Sequence, residues 1–440
     1  MTRDLRAARV ALACLIEPGS AELHALLAAH GPEGALDALI RGAAVAPLAG
    51  AAGARLAGTD PRRIADSALA RTARLGARVV IPEDDEWPAQ LADLCRISRP
   101  GGQRVDRDTY PPVCLWVRGT APLAETLERS VAVVGSRAAT SYGTHVGTEL
   151  GYGLGTRGWT VVSGGAYGID AAAHRGALAA GGRTVAVLAC GVDRAYPAAH
   201  ASLFERIVED GMLVSEWPPG ADPHRHRFLI RNRVIAALGR GTVVVEANAR
   251  SGARQTFGRA ASLGRAVMTV PGPVTSAMSV GCHYLLRHCG ARLVTSYAEV
   301  LEEVGRIGDD LAPIPRGPER AEDRLGPELS RVLDGVPFRG PADAGQIAAA
   351  AGVPLRDALR ALPALESGGY IVAKDGGYVT TADRRAAATG DQRAVATADD
   401  KRTVTTADKR AATTGDHSAI ASGDRHDPAH PSANRPGPVP

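Results

Sequence analysis

The chain has 440 residues, 45% of them hydrophobic and only 4% aromatic, with a formal net charge of +4. That length allows two or three domains, with cores built mainly from Ala, Val and Leu. No apolar run approaches the length of a membrane span, and the six cysteines are scattered without a CxxC pair, so we expect a reduced, cytoplasmic protein with no membrane segment, metal site or cofactor.

The basic residues are almost all arginine; Lys374, Lys401 and Lys409 are the only lysines. The planar guanidinium fork suits phosphate, although a coding bias raises the same count. The His and Cys pairs at Cys282-His283, His288-Cys289 and His224/His226 match no ligand spacing. The N-terminus starts charged, and its apolar stretch reads as an amphipathic helix rather than a signal peptide.

Residues 1–75 predict a small helical domain. Ala8–Ile16 and Ala21–Ala29 read as helices separated by Glu17-Pro18-Gly19-Ser20, with Ser20 as an N-cap, and a third begins near Gly34. Helix pairs of this kind either bind duplex DNA through backbone N–H groups or simply pack. From Gly76 the texture alternates. Strands are predicted at 77–81, 113–118, 131–134, 160–163, 184–190, 213–215, 242–246, 266–270 and 292–294, with helical stretches between most of them and a polar loop from Arg96 to Tyr110. This implies an α/β domain over 76–310, with a doubly wound, mainly parallel, Rossmann-like sheet whose strand order is not readable.

Two strand–glycine turn–helix units stand out. Val131–Val134 runs into Gly135-Ser136-Arg137, and Thr160–Ser163 into Gly164-Gly165-Ala166-Tyr167-Gly168-Ile169-Asp170. Such turns either serve only to reverse the chain or bring backbone N–H groups close to an anion at the carboxyl edge of the sheet. Arg231-Asn232-Arg233 opens Val234–Leu238, either as a solvated helix face or as a group contacting phosphate and base edges. Glu246 ends one strand, and Ser251-Gly252 starts the next loop.

Prolines at 313, 315 and 318 mark a linker, taken as 311–326. Residues 327–381 then read as a winged-helix domain: helices at Leu329–Leu333, Ala344–Ala351 and Leu355–Leu365, followed by a glycine-turned hairpin. Its presumed reading helix carries only Arg356 and Arg360, which favours protein contact over DNA. Beyond it, Thr380–Asp391 recurs as Thr405–Asp416 in a polar segment, so 382–440 reads as a disordered tail.

A dinucleotide site lacks its G-x-G-x-x-G and its ribose-binding acid, and no P-loop occurs. The Gly164-Gly165-x-x-Gly168 loop is similar to that of nucleoside-monophosphate phosphoribohydrolases, with Ile169 in place of the Thr and no clear counterpart of the catalytic Glu. Asp170 and His174, one helical turn apart, would be an acid/base pair in that reading; otherwise they are a helix cap and a surface histidine.

Val134-Gly135-Ser136-Arg137, Ser163–Asp170, Gly191-Val192-Asp193 with Tyr196-Pro197, Ser215-Glu216, Phe228–Arg233, Val245-Glu246-Ala247, Ser251-Gly252 and Val270-Pro271-Gly272 come in this order. Together they closely resemble the DNA-processing protein A (DprA/Smf) family over roughly 80–305. The resemblance implies a non-enzymatic, dimeric protein that binds single-stranded DNA and loads the RecA recombinase in transformation or recombination. Carried onto this chain, Gly135, Ser136 and Arg137 would contact phosphate. Ser163, Gly164, Gly165, Ala166 and Gly168 would form the adjoining cradle, shaped by Asp170. Arg231 and Arg233 would add cationic contacts and Asn232 polar ones, next to Ser251 and Gly252. The chain departs from the family at Ala253-Arg254-Gln255-Thr256-Phe257, usually Ser-Leu-x-Thr-Ala, with Arg254 a possible added phosphate contact. It departs also at Leu229, where Pro is usual, and at Cys282, where Asn is common.

Overall fold

The computed structural model describes residues 2–56, 58–97, 109–306, 310–312 and 321–381. Most of the polar loop after Arg96, half of the expected linker and the whole 382–440 segment lie outside the described residues. The chain divides into two compact units, 1–314 and 315–440.

All nine expected strands of the first unit form, as β1 (Ala77–Val80), β2 (Leu115–Arg118), β3 (Ser130–Val134), β4 (Thr160–Ser163), β5 (Thr184–Leu188), β6 (Met212–Ser215), β7 (Gly241–Val244), β8 (Ala266–Thr269) and β9 (Arg292–Leu293). They make one sheet in the order β1-β2-β6-β5-β4-β3-β7-β8-β9. It is parallel from β6 to β9, while β2 runs antiparallel to both β1 and β6. The strands from β3 to β7 are buried along their whole length, which is why they read as continuous apolar runs.

The N-terminal segment folds as helices Thr2–Leu15, Ala21–Ile40, Ala46–Leu56 and Pro61–Arg74. Ser20 caps the second, accepting from the Leu23 N–H at 3.1 Å. Gly31, at φ 66° and ψ 176°, breaks that helix just before Pro32, where the sequence suggests two helices. Leu12, Leu15 and Leu39 share one core with Val79, Ile81, Trp116, Leu188 and Leu213 of the sheet layer. The boundary read at Gly76 therefore falls inside a continuous core. An Ala/Leu face shows that a helix packs but not against what.

The second unit has helices Pro327–Asp334, Ala344–Ala351 and Leu355–Ser367, then an antiparallel hairpin of β10 (Ile371–Lys374) and β11 (Gly377–Thr380). Asp343 and Gln346 form a reciprocal capping box at the middle helix, and Asp375 and Gly376 turn the hairpin with positive φ. Ala342 bridges to Tyr378, completing a winged-helix arrangement over a core that includes Val332, Ile347, Leu362, Leu365 and Ile371.

The sheet order locates the site. From β3 the chain winds through β4 and β5 to β6 on one side, then returns to the other side of β3 to form β7 and continues outward to β8 and β9. The reversal lies between β3 and β7. Their carboxyl ends form the crevice where open α/β sheets bind ligands.

Candidate nucleic-acid interface

Three segments meet at that crevice. The first is the turn after β3. The Ser136 N–H donates to the Glu246 carbonyl at 2.7 Å, joining this turn to the chain just past β7. Gly135 is held so close that a side chain there would strike Ile169. The Glu246 carboxylate accepts from the Thr140 N–H at 2.9 Å and its hydroxyl at 2.6 Å, and Thr140 caps the helix Ser141–Thr156. This acid is thus committed to fixing a helix start. Arg137, by contrast, is exposed and forms no ion pair among the described residues.

The second segment is the turn after β4, which folds inward. Gly168 has φ +75°, and a Cβ there would meet the Ser136 carbonyl, which accepts from the Ile169 N–H at 3.2 Å. Asp170 accepts from the N–H groups of Gly164 (3.2 Å) and Ala166 (3.4 Å) and is only 6% exposed. Burial pushes its carboxyl above the usual range; Arg231 and those two N–H groups pull the other way. Asp170 thus ties the turn to the start of the following helix. Ser163 donates inward to the Val133 carbonyl at 2.6 Å.

The third segment is the helix Arg225–Leu238. Arg231 is buried and donates through Nη1 to the carbonyls of Gly164 (2.7 Å) and Val187 (2.6 Å). Burial lowers its pKa to about 10, opposed by Asp170, so the cation persists at neutral pH. Arg233, expected to meet phosphate, is fully buried instead. Its two Nη atoms donate to the carboxylate oxygens of Glu216 at 2.8 and 2.7 Å. The reason is helical: positions two apart point about 200° from one another at 3.6 residues per turn, so Arg231 and Arg233 cannot share a face.

The resulting cleft, about 370 Å³, is lined by Gly135, Ser136, Arg137, Ala166, Asp170, Arg231, Asn232, Ser251 and Gly252. Ser163, Gly164, Gly165, Gly168 and Arg233 stand behind it as support rather than lining it. Phe228, named from sequence only as part of a motif and not as a site residue, also lines the cleft, as do Asn248 and Arg250, which were not singled out. Phe228 precedes Arg231 by three residues, a same-face spacing that could have revealed it. Its ring lies 5.0 Å from the Arg137 guanidinium carbon, 5.8 Å from that of Arg231 and 5.5 Å from the Tyr196 ring. Arginines outnumber the single acid on the lining, so the cleft attracts anions.

His174 is not at the surface. It is fully buried, with Nδ1 2.7 Å from the Thr184 hydroxyl. Burial, helped by the nearby charges of His200 and Arg231, depresses its pKa to about 3. It does not line the cleft alongside Asp170.

Comparison with known proteins agrees with this architecture. The sequence profile of the DNA recombination-mediator protein A family matches residues 78–305. A Mycobacterium tuberculosis protein carrying the DNA processing protein DprA name is 45% identical over 368 residues, covering 83% of this chain and 91% of the relative. Protein Smf of Escherichia coli is 37% identical over 303 residues, covering 64% and 78%. The crystal structure of DNA processing protein A from Streptococcus pneumoniae superposes with a TM-score of 0.55 at 32% identity, covering 68% of this chain and 96% of that one. The chain belongs to the DNA recombination-mediator protein A (DprA/Smf) family.

Proposed function

We propose that this DNA-processing family member is a non-enzymatic, cytoplasmic, homodimeric protein that holds single-stranded DNA in the β3–β7 cleft and hands it to a RecA-type recombinase. The observation that carries the reading is the cleft's charge arrangement. Arg231 is anchored by two carbonyls near an exposed Arg137 that forms no ion pair among the described residues, and both guanidinium groups lie against the Phe228 ring. Fixed cations beside an aromatic ring suit a sugar-phosphate strand with accessible bases, and neutralising phosphate needs no sequence readout. Gly135, Ser136 and Arg137 would contact phosphate directly, with Asn232, Ser251 and Gly252 also lining the cleft. Arg233 and Ser163 would act through the scaffold.

The hydrolase reading finds little support. Asp170 is engaged by two backbone N–H groups, and His174 is turned to Thr184. No helix among the described residues is long and apolar enough to cross a membrane. The winged-helix unit exposes Leu355 (50%) and Leu359 (55%), one turn apart on its third helix, which favours a protein-contact role.

The test is a titration of fluorescent oligo(dT) against single- and double-stranded competitors, beside an assay for free base released from AMP. Preference for the single strand, with affinity falling steeply as salt rises and no base released, is expected. Equal affinity for duplex, or base release abolished by Asp170→Ala, would overturn the reading.

A further inference from the structure

We infer that the bound strand does not end in the cleft but continues over Ser251 into a second groove between the helices Gly252–Ser262 and Val280–His288, where Arg250 and Arg254 take phosphate and Tyr284, just outside the lining and against Arg254, stacks a base. This rests on the cleft reading above and extends its binding track. The groove is lined by Arg250, Ser251, Arg254, Gln255, Phe257 and Leu285, among others. Arg250 and Ser251 line the cleft as well, so the two depressions are contiguous.

The lining contains no Asp or Glu, and neither arginine forms an ion pair among the described residues. The Arg254 guanidinium lies with its carbon 4.3 Å from the centre of the Tyr284 ring and donates through Nη1 to the Ala249 carbonyl. Five donors are available on a guanidinium, and this one is pinned by a single hydrogen bond, leaving most of its N–H groups for an incoming anion. Tyr284 is 45% exposed despite that contact, and His288 flanks it at 4.9 Å.

An unpaired, pre-positioned cation beside an exposed aromatic ring is the pairing by which single strands are held without sequence preference. Arg254 stands where the family pattern usually has Leu, so the extension belongs to this chain's own sequence.

The full-length protein is titrated with oligo(dT) of about 4 to 16 nucleotides, the range of single-strand site sizes. Arg254→Ala and Tyr284→Ala should bind the shortest oligonucleotide as the unsubstituted protein does. They should fall behind on the longest, Tyr284→Ala by about 5-fold or more. On long DNA, Arg254→Ala should flatten the log–log salt slope by about 0.7, the share of one phosphate contact. Tyr284→Phe should restore affinity, since it keeps the ring. Variants that match the unsubstituted protein at every length, or lose affinity equally at all lengths, overturn the groove. Arg137→Ala separates the two readings. If it weakens binding at every length while the groove variants do nothing, only the extension fails; if it changes nothing, the cleft fails and takes the extension with it.

Discussion

The glycine turns after β3 and β4 look alike in sequence and do opposite things. The first spends the Ser136 carbonyl and N–H on neighbouring loops and leaves Arg137 exposed on the cleft, against the Phe228 ring and with no ion pair among the described residues. The second turns its polar groups inward: Gly164 and Ala166 donate to Asp170, the Gly164 carbonyl accepts from Arg231, and that of Gly165 lies 3.0 Å from His200 Nδ1. One turn leaves a charged side chain exposed on the cleft and the other is spent on internal support. A glycine-rich turn is therefore no guide to ligand contact until its hydrogen bonds are accounted for. The same division runs along one helix, where Arg231 stands at the cleft and Arg233 at Glu216.

Substitutions in the supporting set should cost stability, and those in the presenting set should cost affinity alone. Arg233→Ala should be the most damaging. It strands the Glu216 carboxylate in the core, a loss of about 3–5 kcal/mol in urea unfolding, while the fraction still folded keeps its affinity for DNA. A drop below about 1 kcal/mol would place the pair among weak surface bridges. Gly168→Ala comes next. The positive φ and the Ser136 carbonyl leave a Cβ no room, so a cost on the order of 1–3 kcal/mol is expected, with weakened binding because Ser136 must move. Full stability and affinity in that variant would mean the two turns are not interlocked.

The smallest effect concerns His174. Its folded pKa lies far below the ordinary histidine value, so the unfolded chain takes up a proton that the folded one refuses. The stabilisation is present above about pH 6.5 and lost progressively as pH falls towards the folded value of about 3. Between pH 6 and 5 the loss should be about 1 kcal/mol, and His174→Gln should remove that slope. An unaltered slope would mean that other groups carry the pH dependence.

Much of the fold was legible because the strands from β3 to β7 are buried on both faces and read as uninterrupted apolar runs. Their order was not, since pairing β3 with β7 joins segments about a hundred residues apart and leaves no local trace. The β3 turn, Asn232 and Ser251-Gly252 were found through ordered motifs, and the crevice does bring them together. Arg233 was misplaced although the helical angle between it and Arg231 was calculable from the sequence. His174 was misplaced because its partner, Thr184, comes from β5. The Arg254–Tyr284 contact spans two helices and could not be read from sequence at all.

The central claim is that Arg137 is a phosphate-binding residue on a rigid, pre-formed cleft. The most direct test is the salt dependence of oligo(dT) binding by Arg137→Ala against the unsubstituted protein. The account predicts weaker binding to every sequence, a log–log slope shallower by about 0.7 for each phosphate that Arg137 neutralises, and an unchanged unfolding transition. An identical slope and affinity in the variant would contradict it.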